Sequence, residues 1–153
     1  MSIRFVLDRG IEAALEGRDS ELLAVVEGAG VDAAAAEHLR LTLEALPGLV
    51  EKIHDALDRD GGPPSTRELF LRLVRYLFTE NDLIPAHAGE VLLGLVDDAY
   101  LVHRAAQEMR GHLSLVDMRS VDGGAALLRA LLPDEIVDAL DEVVAEARAA
   151  GGG

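Results

Sequence analysis

Leu39, Leu43, Leu46, Val50, Ile53 and Leu57 follow one another at intervals of four, three, four, three and four residues. That spacing returns each side chain to one side of an α-helix, whereas a strand places residues two apart on a shared face. A seam this long must be buried against something, and it sets the class of the chain. Pro47 interrupts it. Proline has no amide hydrogen and its ring collides with the preceding turn. Either the helix kinks there or one helix stops near Ala45 and a second starts with Pro47 in its first turn, and the break is the favoured expectation. A face packed inside the same chain is the common cause of such a seam, and a coiled-coil dimer is the other.

The rest of the sequence agrees with a helical chain. Half of the 153 residues are hydrophobic, yet there are only three Phe, two Tyr and no Trp. The core must therefore be built from Leu, Val, Ile and Ala, a mixture that suits helices better than a β-sandwich. This length makes one compact domain without metal or disulfide support. The absence of cysteine removes disulfides, thiolate zinc sites and cysteine nucleophiles. The apolar run after Arg4 is too short for a signal-peptide core. The most apolar stretch, 83–102, is broken by Glu90, Asp97 and Asp98, so no membrane span is expected. A cytoplasmic protein is the expectation.

The punctuation predicts an all-α bundle of about six or seven helices. N-terminal helices occupy 1–60, with short ones at 8–16 and 20–27, the second capped by Asp19 or Ser20. A Gly/Pro linker at 61–64 leads to a helical hairpin at 65–110, opened by a Ser65–Glu68 capping box. The first hairpin helix carries Leu69, Leu73, Tyr76 and Leu77. The second, from about His87 to Arg110, has the seam Leu92, Leu95, Ala99, Val102, Ala106 and Met109, widened by Val91, Leu93, Val96 and Leu101. A helix apolar nearly all round is normally enclosed by others, so it is expected at the centre. C-terminal helices fill 111–150: a polar joint, a short helix from Ala125 to Leu132, and a last one that starts at Pro133 and frays at the terminal glycines.

Chemistry-bearing residues concentrate in 76–100, where Glu80, Asp82, Glu90, Asp97 and Asp98 lie among apolar neighbours. Adjacent helical residues cannot point the same way, so Asp97 and Asp98 are not a ready general acid/base pair. Asp97 and Glu90 fall opposite the seam, and Asp98 falls at its flank, where it is the one expected to turn inward. A carboxylate at a buried edge needs donors. The amides of the Asp82–Pro85 turn and the guanidinium of Arg72 or Arg75 are available. Asp82, Pro85, Asp97, Asp98, Arg72 and Arg75 thus form a predicted structural latch, or a ligand site.

Other constellations are thinner. Glu51-x-x-His54 is half of a carboxylate-bridged metal site, but no second Glu-x-x-His exists to complete it. Glu108 and His112 are separated by Gly111. His103, at the flank of the central seam, reads as a hydrogen-bonded packing residue. There is no Gly-x-Ser-x-Gly, phosphate loop or dinucleotide fingerprint, so no catalytic residue, metal or cofactor is assigned.

Tyr76-Leu77, Asp82-Leu83-Ile84-Pro85, Gly94 and Asp97-Asp98 together resemble the YkvA-like family of bacterial domains. The resemblance covers residues 70–103. Thr79-Glu80 replaces the family's Ser-Pro, and Ala86–Gly89 lacks its second proline. It implies a helical hairpin in a bacterial setting and no particular activity.

Net charge is −14, from 28 acidic and 14 basic residues. Such a surface repels phosphate backbones and anionic lipid, which disfavours nucleic acid and leaves a protein partner, a basic one included, or a homodimer. The expectation is a non-enzymatic protein–protein interaction or regulatory module. The 39–57 seam and the 91–102 stripe offer apolar surface for that contact. The alternatives are a metal- or small-ligand-binding protein using the 80–98 carboxylates, and an acidic inhibitor of a basic partner.

Overall fold

A computed structural model describes residues 9, 12, 15–17, 19–60, 67, 91–110, 113 and 116–152. Among them are six helices and no strand: α1 (Asp19–Gly28), α2 (Ala35–Glu44), α3 (Leu46–Asp60), α4 (Val91–Glu108), α5 (Met118–Leu131) and α6 (Asp134–Gly152). Arg9, Glu12 and Leu15 are also helical, before a turn at Gly17 with φ +68°.

Each boundary has a local cause. The chain leaves α1 through Gly30 at φ +77°, a left-handed conformation that glycine adopts without a Cβ penalty. The Gly30 amide donates to Glu27 O at 3.0 Å and the Val31 amide to Val26 O at 3.1 Å, which is the Schellman closure. Asp19 opens α1 and pairs with Arg40 of α2. Between α2 and α3 stands the single residue Ala45, whose amide donates to Leu41 O at 3.0 Å while its carbonyl accepts from Leu49 at 3.2 Å. Pro47 is the second residue of α3, where its missing amide hydrogen costs no helical bond. The break at Pro47 therefore falls as expected, and the seam survives it. Leu39, Leu43, Val50 and Ile53 are fully buried, with Leu46 and Leu57 nearly so.

Helix α4 is the centre. It packs against all five other described helices, which is why Val96, Ala99, Leu101, Val102, Ala106 and Met109 are completely covered. Leu22 and Val26 of α1, Leu128 of α5 and Leu140 and Val144 of α6 close round the same core. At ~25 cal/mol per Å² of apolar surface, each buried Leu or Val supplies about 1.5–3 kcal/mol toward the fold.

Several expectations are corrected. α5 begins at Met118, seven residues before the expected Ala125, because Asp117 caps it and the paired glycines Gly123 and Gly124 lie within the helix. The last helix runs to Gly152 where fraying was expected. Asp97, placed opposite the seam, is fully buried, while Asp98 is only partly so. The side opposite a seam faces solvent only on a peripheral helix, and α4 is surrounded. The apolar surplus expected on the 39–57 seam is not found, since its residues are internal, and Val96, Ala99, Leu101 and Val102 of the 91–102 stripe are internal too. Among the described residues the exposed large hydrophobics are Leu23 and Leu41. The Ser65 capping box, the first hairpin helix and the Asp82–Pro85 turn lie outside the described residues. Arg67 is helical and donates to Leu57 O at 3.2 Å.

Candidate functional site

The α2–α3 pair and the start of α5 form the two walls of a cavity. Asp117 fixes the second wall: its Oδ1 accepts from the amides of Arg119 at 3.0 Å and Ser120 at 3.4 Å, and its Oδ2 accepts from the Ser120 hydroxyl at 3.0 Å. These bonds, the Ser120 hydroxyl foremost, hold the Asp117 carboxyl below its ordinary pKa. Seven residues further on, a Cβ on Gly124 would lie 2.7 Å from His103 Nε2 and 3.3 Å from Thr42 Cγ2. Only glycine lets α5 approach α4 and α2 this closely.

The space left between the walls is about 700 Å³, within the usual range of small-molecule sites. Leu41, Ala45 and Leu49 line it from one side, and Val116 and Val121 from the other. Leu41 is 54% exposed.

Two buried polar side chains face this space. His103 is 5% exposed and Thr42 8%. His103 Nδ1 lies 2.8 Å from Ala99 O, and a carbonyl only accepts, so Nδ1 carries the proton. Burial pushes the ring's pKa below 6.5, with the Ala99 bond opposing more weakly, and the ring is neutral. Its Nε2 then presents a lone pair, and none of the described groups donates to it. The Thr42 hydroxyl donates to His38 O at 2.8 Å and keeps its own lone pairs.

Lys52 and Arg119 line the cavity from opposite walls. Both are exposed, and neither side chain forms a salt bridge or hydrogen bond among the described residues. Elsewhere the basic side chains are engaged: Arg40 with Asp19 and Glu44, Arg104 and Arg129 with Asp141, Arg110 with Asp122. In a chain with twice as many acids as bases, two cations left over at one cavity are informative. Asp117 also lines it, with both oxygens committed to the cap.

A second polar cluster ties the core helices together. The Tyr100 hydroxyl donates to Asp141 Oδ1 at 2.7 Å, Arg104 Nε donates to the same oxygen at 3.2 Å, and Arg129 Nη1 reaches Tyr100 Oη at 3.3 Å and Asp141 Oδ2 at 3.4 Å. Gln107 joins Arg104 to Asp122. Every group here has its complement within the cluster, which makes it a staple between α4, α5 and α6.

The predicted latch divides. Asp82, Pro85, Arg72 and Arg75 lie outside the described residues, while Asp97 and Asp98 sit on α4 away from the cavity lining. Glu51 and His54 stay on α3 with no third ligand, and no group of three metal-ligating side chains is found among the described residues. Of the cavity's residues, sequence reasoning singled out His103, as a packing group. It passed over Thr42, Gly48 and Arg119. The His38–Thr42 spacing of four and the Asp117-x-x-Ser120 cap were the available signals. No family model, curated protein or solved structure matches the chain.

Proposed function

We propose that the chain is a non-enzymatic binding or regulatory module of a bacterial cytoplasm, and that the His103 cavity is its recognition surface. One observation carries this reading: a recessed, mainly apolar space that exposes Leu41 and is lined by Lys52 and Arg119, whose side chains form no salt bridge or hydrogen bond among the described residues. The groups that could do chemistry there are otherwise committed. Thr42 donates its hydroxyl hydrogen to a carbonyl and Ser120 donates its own to the capping Asp117. His103 is oriented by a backbone carbonyl, which favours an imidazolium less than its burial disfavours it. The 39–57 seam does not serve as the interface in this reading, since its side chains are already used inside the chain. The YkvA-like resemblance, confined to 70–103, adds the bacterial setting and no ligand.

Gly48 supplies a direct test. It lines the cavity, and a Cβ added there meets nothing within 4 Å. A Gly48→Phe ring therefore grows into the space without displacing the core. The dye 1-anilinonaphthalene-8-sulfonate, an apolar body with one fixed negative charge, should bind the native chain saturably at one site. Gly48→Phe should remove that binding and leave the urea midpoint at or above the native value. Dye binding that is non-saturable, or equal in both proteins, rejects the cavity as the recognition surface.

A further inference from the structure

The two ends of the cavity differ in chemistry. Its buried end presents acceptors, His103 Nε2 and the lone pairs of Thr42, and the ring is nine-tenths or more buried with that nitrogen unused among the described residues. His103 lines the cavity and no described group donates to its Nε2, so a ligand that brings an O–H or N–H finds an acceptor there. The cations Lys52 and Arg119 call for an anion. Thr42 and Lys52 are ten residues apart along α2–α3, about 15 Å at 1.5 Å per residue. An extended chain advances roughly 1.2 Å per bond, so about a dozen bonds separate the two functions of a fitting ligand.

We infer that the cavity binds an elongated amphipathic carboxylate carrying a hydroxyl at its far end, the hydroxyl donating to His103 Nε2 and the carboxylate lying at Lys52 and Arg119. Leu41, Leu49 and Val121 enclose the apolar body. A monoanion fits better than a phosphate, because the −14 net charge repels each additional negative charge while only two exposed cations offset it. The identity of this ligand class rests on the cavity being the recognition surface, as proposed above.

The test titrates the full chain calorimetrically with 12-hydroxydodecanoate, dodecanoate and 1,12-dodecanediol at low salt. The hydroxy acid should bind one to one and roughly threefold to tenfold more tightly than dodecanoate, the margin of one hydrogen bond to a neutral acceptor. Lys52→Ala combined with Arg119→Ala should weaken both acids to the level of the diol or below it and remove the loss of affinity that added salt causes. In the unmutated protein, the ¹⁵N resonance of His103 Nε2 should shift on adding the hydroxy acid and stay put with dodecanoate, a readout that needs no core substitution. Equal affinities with no Nε2 shift, or acid binding indifferent to the double substitution, overturns the inference. So does failure of the hydroxy acid to bind while the dye still binds the native chain and not Gly48→Phe, and in that case the cavity remains the recognition surface. A dye indifferent to Gly48→Phe removes both.

Discussion

Gly124 and His103 meet across the α4–α5 contact so closely that a methyl group on the glycine would stand 2.7 Å from the ring nitrogen. The ring cannot swing aside, because it is buried and bonded to Ala99 O. Gly124→Ala should therefore cost about 1–3 kcal/mol of stability through overpacking. The neighbouring Gly123 has open space around its missing Cβ. Gly123→Ala should gain about 0.5–1 kcal/mol, since alanine loses less entropy in a helix. Urea unfolding of the two variants should move in opposite directions, and a loss at both positions would contradict the packing described.

His103 makes the fold sensitive to mild acid. Its folded pKa is depressed by burial below the ordinary 6.5, so between the two values the unfolded chain binds more protons. The contribution is fully present above pH 6.5 and is lost as pH falls below it. Thr42, Gly124 and the Ala99 carbonyl face the ring. Unfolding measured from pH 7 down to pH 5, alongside an NMR titration of the imidazole, should show falling stability and a ring that titrates below 6.5 in the native protein. A ring that titrates above 6.5 in the native protein would reverse the sign.

The Tyr100–Asp141 bond predicts an alkaline limit. Burial first, then the hydrogen bond to Asp141 and its charge, raise the Tyr100 pKa above 10.0, while Arg129 and Arg104 oppose. A raised acid contributes stability below the unfolded value and loses it as pH climbs beyond about 10. Tyr100→Phe should remove that alkaline loss and should cost about 1.5–3 kcal/mol at neutral pH, because the hydrogen bond is to a charged group. Equal stability of both proteins at pH 7 would mean that α4 and α6 are held together without this staple.

At the acidic end Asp117 and Asp122 act in the same direction. The Ser120 hydroxyl lowers the first and the Gln107 amide, followed by Arg110, lowers the second. Both contributions are present above the ordinary 3.8 and vanish as pH falls below it. Asp117→Ala should lower the thermal midpoint and fray α5 from its start, whereas Asp117→Asn, still a competent cap, should retain most of the helix. Amide exchange at residues 118–121 reports the difference. Unchanged protection in Asp117→Ala would show that tertiary packing alone fixes the start of α5.

Helix α5 also marks where reading by pattern stops. Gly123-Gly124 is a breaker in any local scheme, and the expected helix was placed after it. The tertiary structure keeps the pair inside the helix because one of the two must lack a side chain for α5 to rest on His103. Asp97 teaches the same point: angular position on α4 was calculable, but burial depended on which neighbours surround that helix.

By itself the sequence determined the helical class, the seam from Leu39 to Leu57, its interruption at Pro47 and the central place of α4. Those follow from spacing and from proline's missing donor, which are properties of the local chain. Only the tertiary structure decided that Lys52, His103 and Arg119, on three different helices, would share one cavity. A cavity is the shape left between packed surfaces, and no single stretch of residues carries it.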